Sequence, residues 1–119
     1  MNKIAKAALA KVNQARRACG WPELTVMPSG FQQSAAQCPI ARALTPPGGW
    51  TAVCQEYIDF DDPQMAQAVA DAWGGTVIFP LDLHSDGASV RPLPPELVAF
   101  IKAFDRGEIS SEEKTNGAV

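Results

Sequence analysis

Only one histidine, His84, is available to this chain of 119 residues, so any Cys–His or Ser–His nucleophile would have to be built around that single imidazole. No Gly-x-Ser-x-Gly elbow is present, which removes the usual serine-hydrolase signature. The three cysteines, Cys19, Cys38 and Cys54, contain no Cys-x-x-Cys pair, the close spacing that zinc sites normally use. Their odd number and wide spacing also argue against a disulfide framework, and reduced thiols are expected. The doublets Gly48-Gly49 and Gly74-Gly75 form neither a Gly-x-Gly-x-x-Gly turn nor a Walker loop, so no phosphate cradle is expected. Long apolar runs are missing too. The longest uncharged stretches also contain Gly, Pro, Gln and Ser, and no membrane span is expected. The uncharged run Ala7–Ala10 stops at Lys11, short of the roughly 7–15 apolar residues of a secretory signal, so a cytoplasmic location is expected.

What is present is the composition of an ordinary globular domain, 46% hydrophobic and 19% charged. A chain of this length can bury roughly two-thirds of its unfolded surface, which is enough for one core without a metal or a disulfide. The reading is a single α+β domain over residues 1–109 followed by a flexible tail over 110–119, which is small, polar or charged.

Three helices are expected. Over 3–19, Ile4, Ala8, Val12, Ala15 and Cys19 recur at spacings of three and four and share one face, widened by Ala5 and Leu9. Lys3, Lys6, Asn13, Gln14 and Arg17 fall on the opposite, polar face. Gly20 and Trp21-Pro22 stop this helix. Over 63–73, Asp62-Pro63 supplies an N-cap and a proline at the first position, Met65, Val69, Ala72 and Trp73 form the stripe, and Gly74-Gly75 ends it. Over 95–106, Leu97, Ile101 and Phe104, with Val98 and Phe100 beside them, make the third apolar face, closed by Gly107. A shorter helix is expected to begin at Cys38-Pro39.

The remaining elements read as a small, mainly antiparallel sheet of two to four strands. Aromatic and β-branched residues favour one strand over 50–60. Alternation over 76–83 places Val77, Phe79, Leu81 and Leu83 on one face, and Pro80 marks that strand as an edge. Ser85-Asp86-Gly87 reads as a hairpin turn into a strand over 88–91. Residues 22–30, with Pro22, Pro28 and Gly30 around Leu24–Met27, read as an extended connector that could hold a short strand.

Two segments, Cys38–Leu44 (CPIARAL) and Glu96–Glu108 (ELVAFIKAFDRGE), resemble small uncharacterised proteins of high-GC actinobacteria and their phages. The resemblance covers about 20 of the 119 positions. It implies a bacterial or viral origin, brings no activity with it, and assigns no functional residue.

Several constellations could carry chemistry. Cys19, Cys38, Cys54 and His84 together would make a structural zinc site, but the spacing favours buried thiols without a metal. Asp82, His84 and Asp86 would share a face of a continuous strand, although Asp86-Gly87 reads first as a turn. Cys54 is the best thiol partner for His84. Asp59, Asp61 and Asp62 could do acid–base work, but helix capping accounts for their clustering beside Pro63. No catalytic residue, cofactor or metal is therefore assigned.

Charge is uneven along the chain. Residues 1–44 carry Lys3, Lys6, Lys11, Arg16, Arg17 and Arg42 against Glu23, whereas residues 45–119 carry twelve acids against four bases, for a net charge of −3. The basic first helix could contact nucleic acid through Lys3, Lys6 and Arg17, though no aromatic residue interleaves with these charges to stack on a single strand. It could equally lie on an acidic body or drive self-association. Trp21 and Trp50 sit at loop edges, where a ring can anchor a protein partner. The expectation is a small non-catalytic protein-interaction or regulatory protein, phage-derived on the resemblance above. A nucleic-acid-binding regulator is the alternative, and a small hydrolase or metal-dependent enzyme the third reading.

Overall fold

A computed structural model describes residues 2–79 and 87–109. The first helix, α1 (Lys3–Ala18), starts where the Asn2 side chain accepts the Ala5 N–H at 2.7 Å. It ends in a Schellman motif, with Gly20 N–H on the Arg17 carbonyl and Trp21 N–H on the Arg16 carbonyl at 3.0 and 2.8 Å. Gly20 takes φ +76°, the left-handed conformation this motif requires. The short helix α2 (Pro39–Ala43) is capped by Cys38, whose Sγ accepts the Ala41 N–H at 3.4 Å.

Residues 50–60 do not form one strand. They form a hairpin of β1 (Thr51–Val53) and β2 (Ile58–Phe60). The Cys54 N–H bonds the Tyr57 carbonyl at 2.9 Å, which leaves Gln55 and Glu56 as the exposed connection. Two polar residues in the middle of the apolar stretch are the turn that composition alone did not separate from a strand. Next comes α3 (Pro63–Trp73), capped by Asp62 on the Gln64 N–H at 2.9 Å and closed by Gly74 in the left-handed region. Strands β3 (Thr76–Ile78) and β4 (Ala88–Arg91) and helix α4 (Pro95–Asp105) complete the order.

The fold is α+β. Among the described residues four strands, antiparallel throughout, lie in the order β1-β2-β4-β3. Strand β3 is an edge, as its sequence suggested. Val77 is half-buried and Ile78, on the opposite face, is exposed; Phe79, expected on the same face as Val77, is instead 54% exposed. The continuation over 80–86, the turn at Ser85-Asp86, and the segment 110–119 lie outside the described residues.

One face of the sheet presents Val53, Ile58, Phe60, Ala88 and Val90 to the core. Helix α3 packs on β2, β3 and β4, and α1 packs on both α3 and α4. Alanines at 5, 8 and 15 give α1 a flat buried stripe for these contacts. Among the described residues no helix is long and apolar enough to cross a membrane.

Two expectations about polar and connecting residues are overturned. Leu24–Met27 forms no strand. Instead the Asn13 side chain donates to the Leu24 carbonyl and accepts from the Leu24 N–H, both at 2.8 Å. Asn13 is therefore buried at 7% exposure rather than on the solvent face of α1. Ile4, expected in the apolar stripe, is exposed. The stripe begins one residue later, at Ala5, because the helix lies on its neighbours through the side containing Ala5, Ala8, Leu9 and Val12.

Candidate functional site

The sequence candidates separate into three groups in space. The first is the basic face of α1. Lys3, Lys6 and Arg17 are exposed on it. Arg17 is paired with Glu23 at 3.0 Å, which offsets its charge toward any polyanion. Arg16 is spent inside the molecule. Its Nε donates to the Pro22 carbonyl at 2.7 Å and its Nη1 to the Ala43 carbonyl at 2.6 Å. The guanidinium also lies 5.4 Å from the centroid of the Trp21 ring. The Schellman motif explains this stack, because it folds the residue just past a helix end back over the last turn.

The second group is the end of the molecule around loop 45–50. Trp21 is half-buried there, with a groove on either side of it. One, of about 320 Å³, runs past Cys19, Pro46, Asp62 and Met65; the other, of about 280 Å³, runs past Arg16, Thr45 and Pro47. Trp50 sits at the far end of the same loop, 44% exposed, with its carbonyl accepting the Asp61 N–H at 3.4 Å. Gly49 lies so close to Pro46 and Asp61 that an added Cβ would meet them at 2.7 and 2.8 Å. The loop is thus pressed against the start of α3, and both candidate tryptophans flank it. The third tryptophan is a structural tie: Trp73 donates from Nε1 to the Lys11 carbonyl at 2.9 Å and joins α3 to α1.

The third group holds the thiols. The expectation of three buried cysteines is corrected: Cys38 is buried at 6% exposure, but Cys19 and Cys54 are half-buried. Cys38 and Cys54 line one cleft of about 210 Å³ between segment 33–39, the end of β1 and α4. Cys19 is elsewhere, in the groove beside Trp21. The four-ligand zinc arrangement is not assembled from the described cysteines, and no three His, Cys, Asp or Glu side chains among the described residues could hold a metal ion. His84, and with it Asp82 and Asp86, lies outside the described residues.

The floor of the cleft comes from Val53, Phe100, Ile101 and Phe104. The two phenyl rings are stacked with centroids 5.8 Å apart and planes 9° from parallel. Its rim carries Gln33, Ser34, Gln55 and Asp105. The Asp105 carboxylate accepts the Gln33 N–H at 2.8 Å, and the Gln32 side chain donates to the Phe104 carbonyl at 3.0 Å. These two bonds hold Gln33 at φ +55°, a conformation uncommon outside glycine. Burial pushes the Cys38 thiol up, against backbone N–H groups that lower it, so it stays protonated at neutral pH. No sequence signal pointed to this cleft, since segment 33–39 and α4 are about seventy residues apart in the chain.

The carboxylates do not act as a set. Asp62 caps α3. Asp59 faces Ser89 across the β2–β4 pair, on the sheet face away from α3. Its pKa is raised, by burial first, with Ser89 and Arg91 pulling the other way. Arg91 in turn lies 4.6 Å over the Tyr57 ring. Tyr57 is raised as well, first by its hydrogen bond with the Cys54 side chain.

Compared with known protein families, with curated proteins and with solved structures, the chain matches none.

Proposed function

We propose that this is a small non-catalytic cytoplasmic interaction or regulatory protein of bacterial or phage origin, which meets a protein partner at the end formed by Trp21, loop 45–50 and Trp50. The observation that carries the reading is the placement of two tryptophans, far apart in sequence, on either side of one loop, with grooves beside Trp21 and an exposed ring at Trp50. Aromatic side chains next to desolvated grooves are the usual anchors of protein interfaces. Pro46 and Pro47 lower the entropy the loop has left to lose on docking.

Nucleic-acid binding through Lys3, Lys6 and Arg17 is the second reading. It keeps the two exposed lysines, but Arg16 is engaged internally and Arg17 is already paired.

Capture from host lysate, with and without nuclease, separates the two. Wild type is compared with Trp50→Ala and with a Lys3→Ala/Lys6→Ala double variant. A partner that survives nuclease, is lost with Trp50→Ala and is kept by the lysine variant supports the interaction surface. Loss with nuclease and with the lysine variant overturns it in favour of nucleic acid. Self-association through the same end would appear as a dimer in sedimentation that Trp50→Ala dissociates.

A further inference from the structure

The cleft between segment 33–39, β1 and α4 has the composition of a binding site for a small molecule, independent of the tryptophan end. Its floor is apolar, and among the described residues its only charged lining side chain is the Asp105 carboxylate. Among the described residues no Lys or Arg lines it. One Asp105 oxygen is fixed by the Gln33 N–H, which orients the carboxylate at the rim, and among the described residues the other oxygen has no partner. A volume of about 210 Å³ exceeds the roughly 150 Å³ cavity that takes up benzene, so one ring with a short substituent fits. The Cys38 thiol in the wall is pushed up by burial and adds no negative charge at neutral pH. An anionic ligand would face an uncompensated carboxylate, whereas a cation would find one oriented to meet it.

We propose that this cleft binds a small primary amine with an apolar body, its ammonium on Asp105 and its ring or chain against Val53 and Phe104. The rim amides of Gln33 and Gln55 add neutral hydrogen-bonding groups without a competing charge.

Cys54 makes the proposal measurable. It lines the cleft and is half-buried, whereas Cys19 is half-buried outside it. The experiment follows the rate of alkylation of each thiol by iodoacetamide, read by peptide mass mapping, with benzylamine, benzyl alcohol or benzoate as probes. Benzylamine at twice its dissociation constant should slow Cys54 by a factor of about three and leave Cys19 unchanged. Benzyl alcohol should protect less, and benzoate not at all. Asp105→Asn, which keeps an acceptor for Gln33, should remove the benzylamine protection when its Cys54 rate is read against its own amine-free control. Equal protection by benzoate, or equal slowing of Cys19, would overturn the assignment. So would the absence of amide shifts in residues 33–38, 53–55 and 100–105 when the wild-type protein is titrated with benzylamine. The probe comparison is made on wild-type protein, so a folding defect in the variant does not decide the result.

Discussion

Asn13 and Leu24 are joined twice: the side-chain amide of one grips both the N–H and the carbonyl of the other, each at 2.8 Å. The pair replaces a strand partner for a connector that would otherwise carry unsatisfied backbone groups at the edge of the core. Asn13→Ala leaves both Leu24 groups without a partner, and each is only partly accessible to water. The expected loss is about 2 kcal/mol of stability, measured by urea denaturation. Asn13→Asp, which can accept but not donate, should fall between the two.

Arg16 is a clamp. It reaches Pro22, Ala43 and the Trp21 ring from one position in the last turn of α1. A lysine has no planar fork and cannot serve two carbonyls while stacking on an indole. Arg16→Lys should therefore destabilise the fold by about 1–2 kcal/mol even though charge is conserved. Lys6→Arg, at an exposed position of the same helix, should change stability by less than about 0.5 kcal/mol. Thermal denaturation of the two variants, side by side, checks the contrast.

Gly30 and Gly48 make an instructive pair. Gly48 has the left-handed φ of +76° with open space around it, whereas Gly30 lies where an added Cβ would come within 2.5 Å of the Pro39 nitrogen. Alanine at 48 should cost about 1 kcal/mol, the ordinary penalty of a Cβ in that conformation. Alanine at 30 must displace the backbone that leads into α2, at a cost of about 3 kcal/mol. The prediction fails if chemical denaturation ranks the two variants the other way.

Asp59 supplies a pH dependence. Its folded pKa is raised, chiefly by burial, and its Oδ1 has no hydrogen-bond partner. The fold therefore favours the protonated acid. That contribution is fully present below the ordinary carboxylate pKa and is lost as pH rises through the raised folded value. Asp59→Asn should be at least as stable as wild type at pH 7, and the advantage should shrink as pH falls into the acid range where Asp59 is itself neutral. Melting temperatures of both proteins across pH 3–8 give the comparison, and an advantage that grows on acidification would contradict it.

The three long helices were readable because their determinants are local. Asp62-Pro63 caps α3 with partners two residues away, Gly20 and Gly107 close α1 and α4 within five, and the apolar stripes repeat every three or four residues. The hairpin at Gln55-Glu56 was missed for a local reason as well: aromatic and β-branched neighbours outweighed a two-residue polar break.

Tertiary structure alone decided which polar residues work inside the molecule and which side chains meet. The partners of Asn13, Arg16 and Trp73 lie 11, 27 and 62 residues away. Helical periodicity could only place Asn13 on a polar face; the returning chain converted that position into a buried anchor. Nothing in the spacing of Cys38, Cys54 and Asp105 predicts that they line one cleft, because their convergence depends on how the β1–β2 hairpin and α4 close around segment 33–39. The sequence by itself determined helices, caps and the α+β class, through interactions that reach no further than one turn. The strand order, the clamp at Arg16 and the cleft came from pairings across the chain, and these are set only once the core has closed.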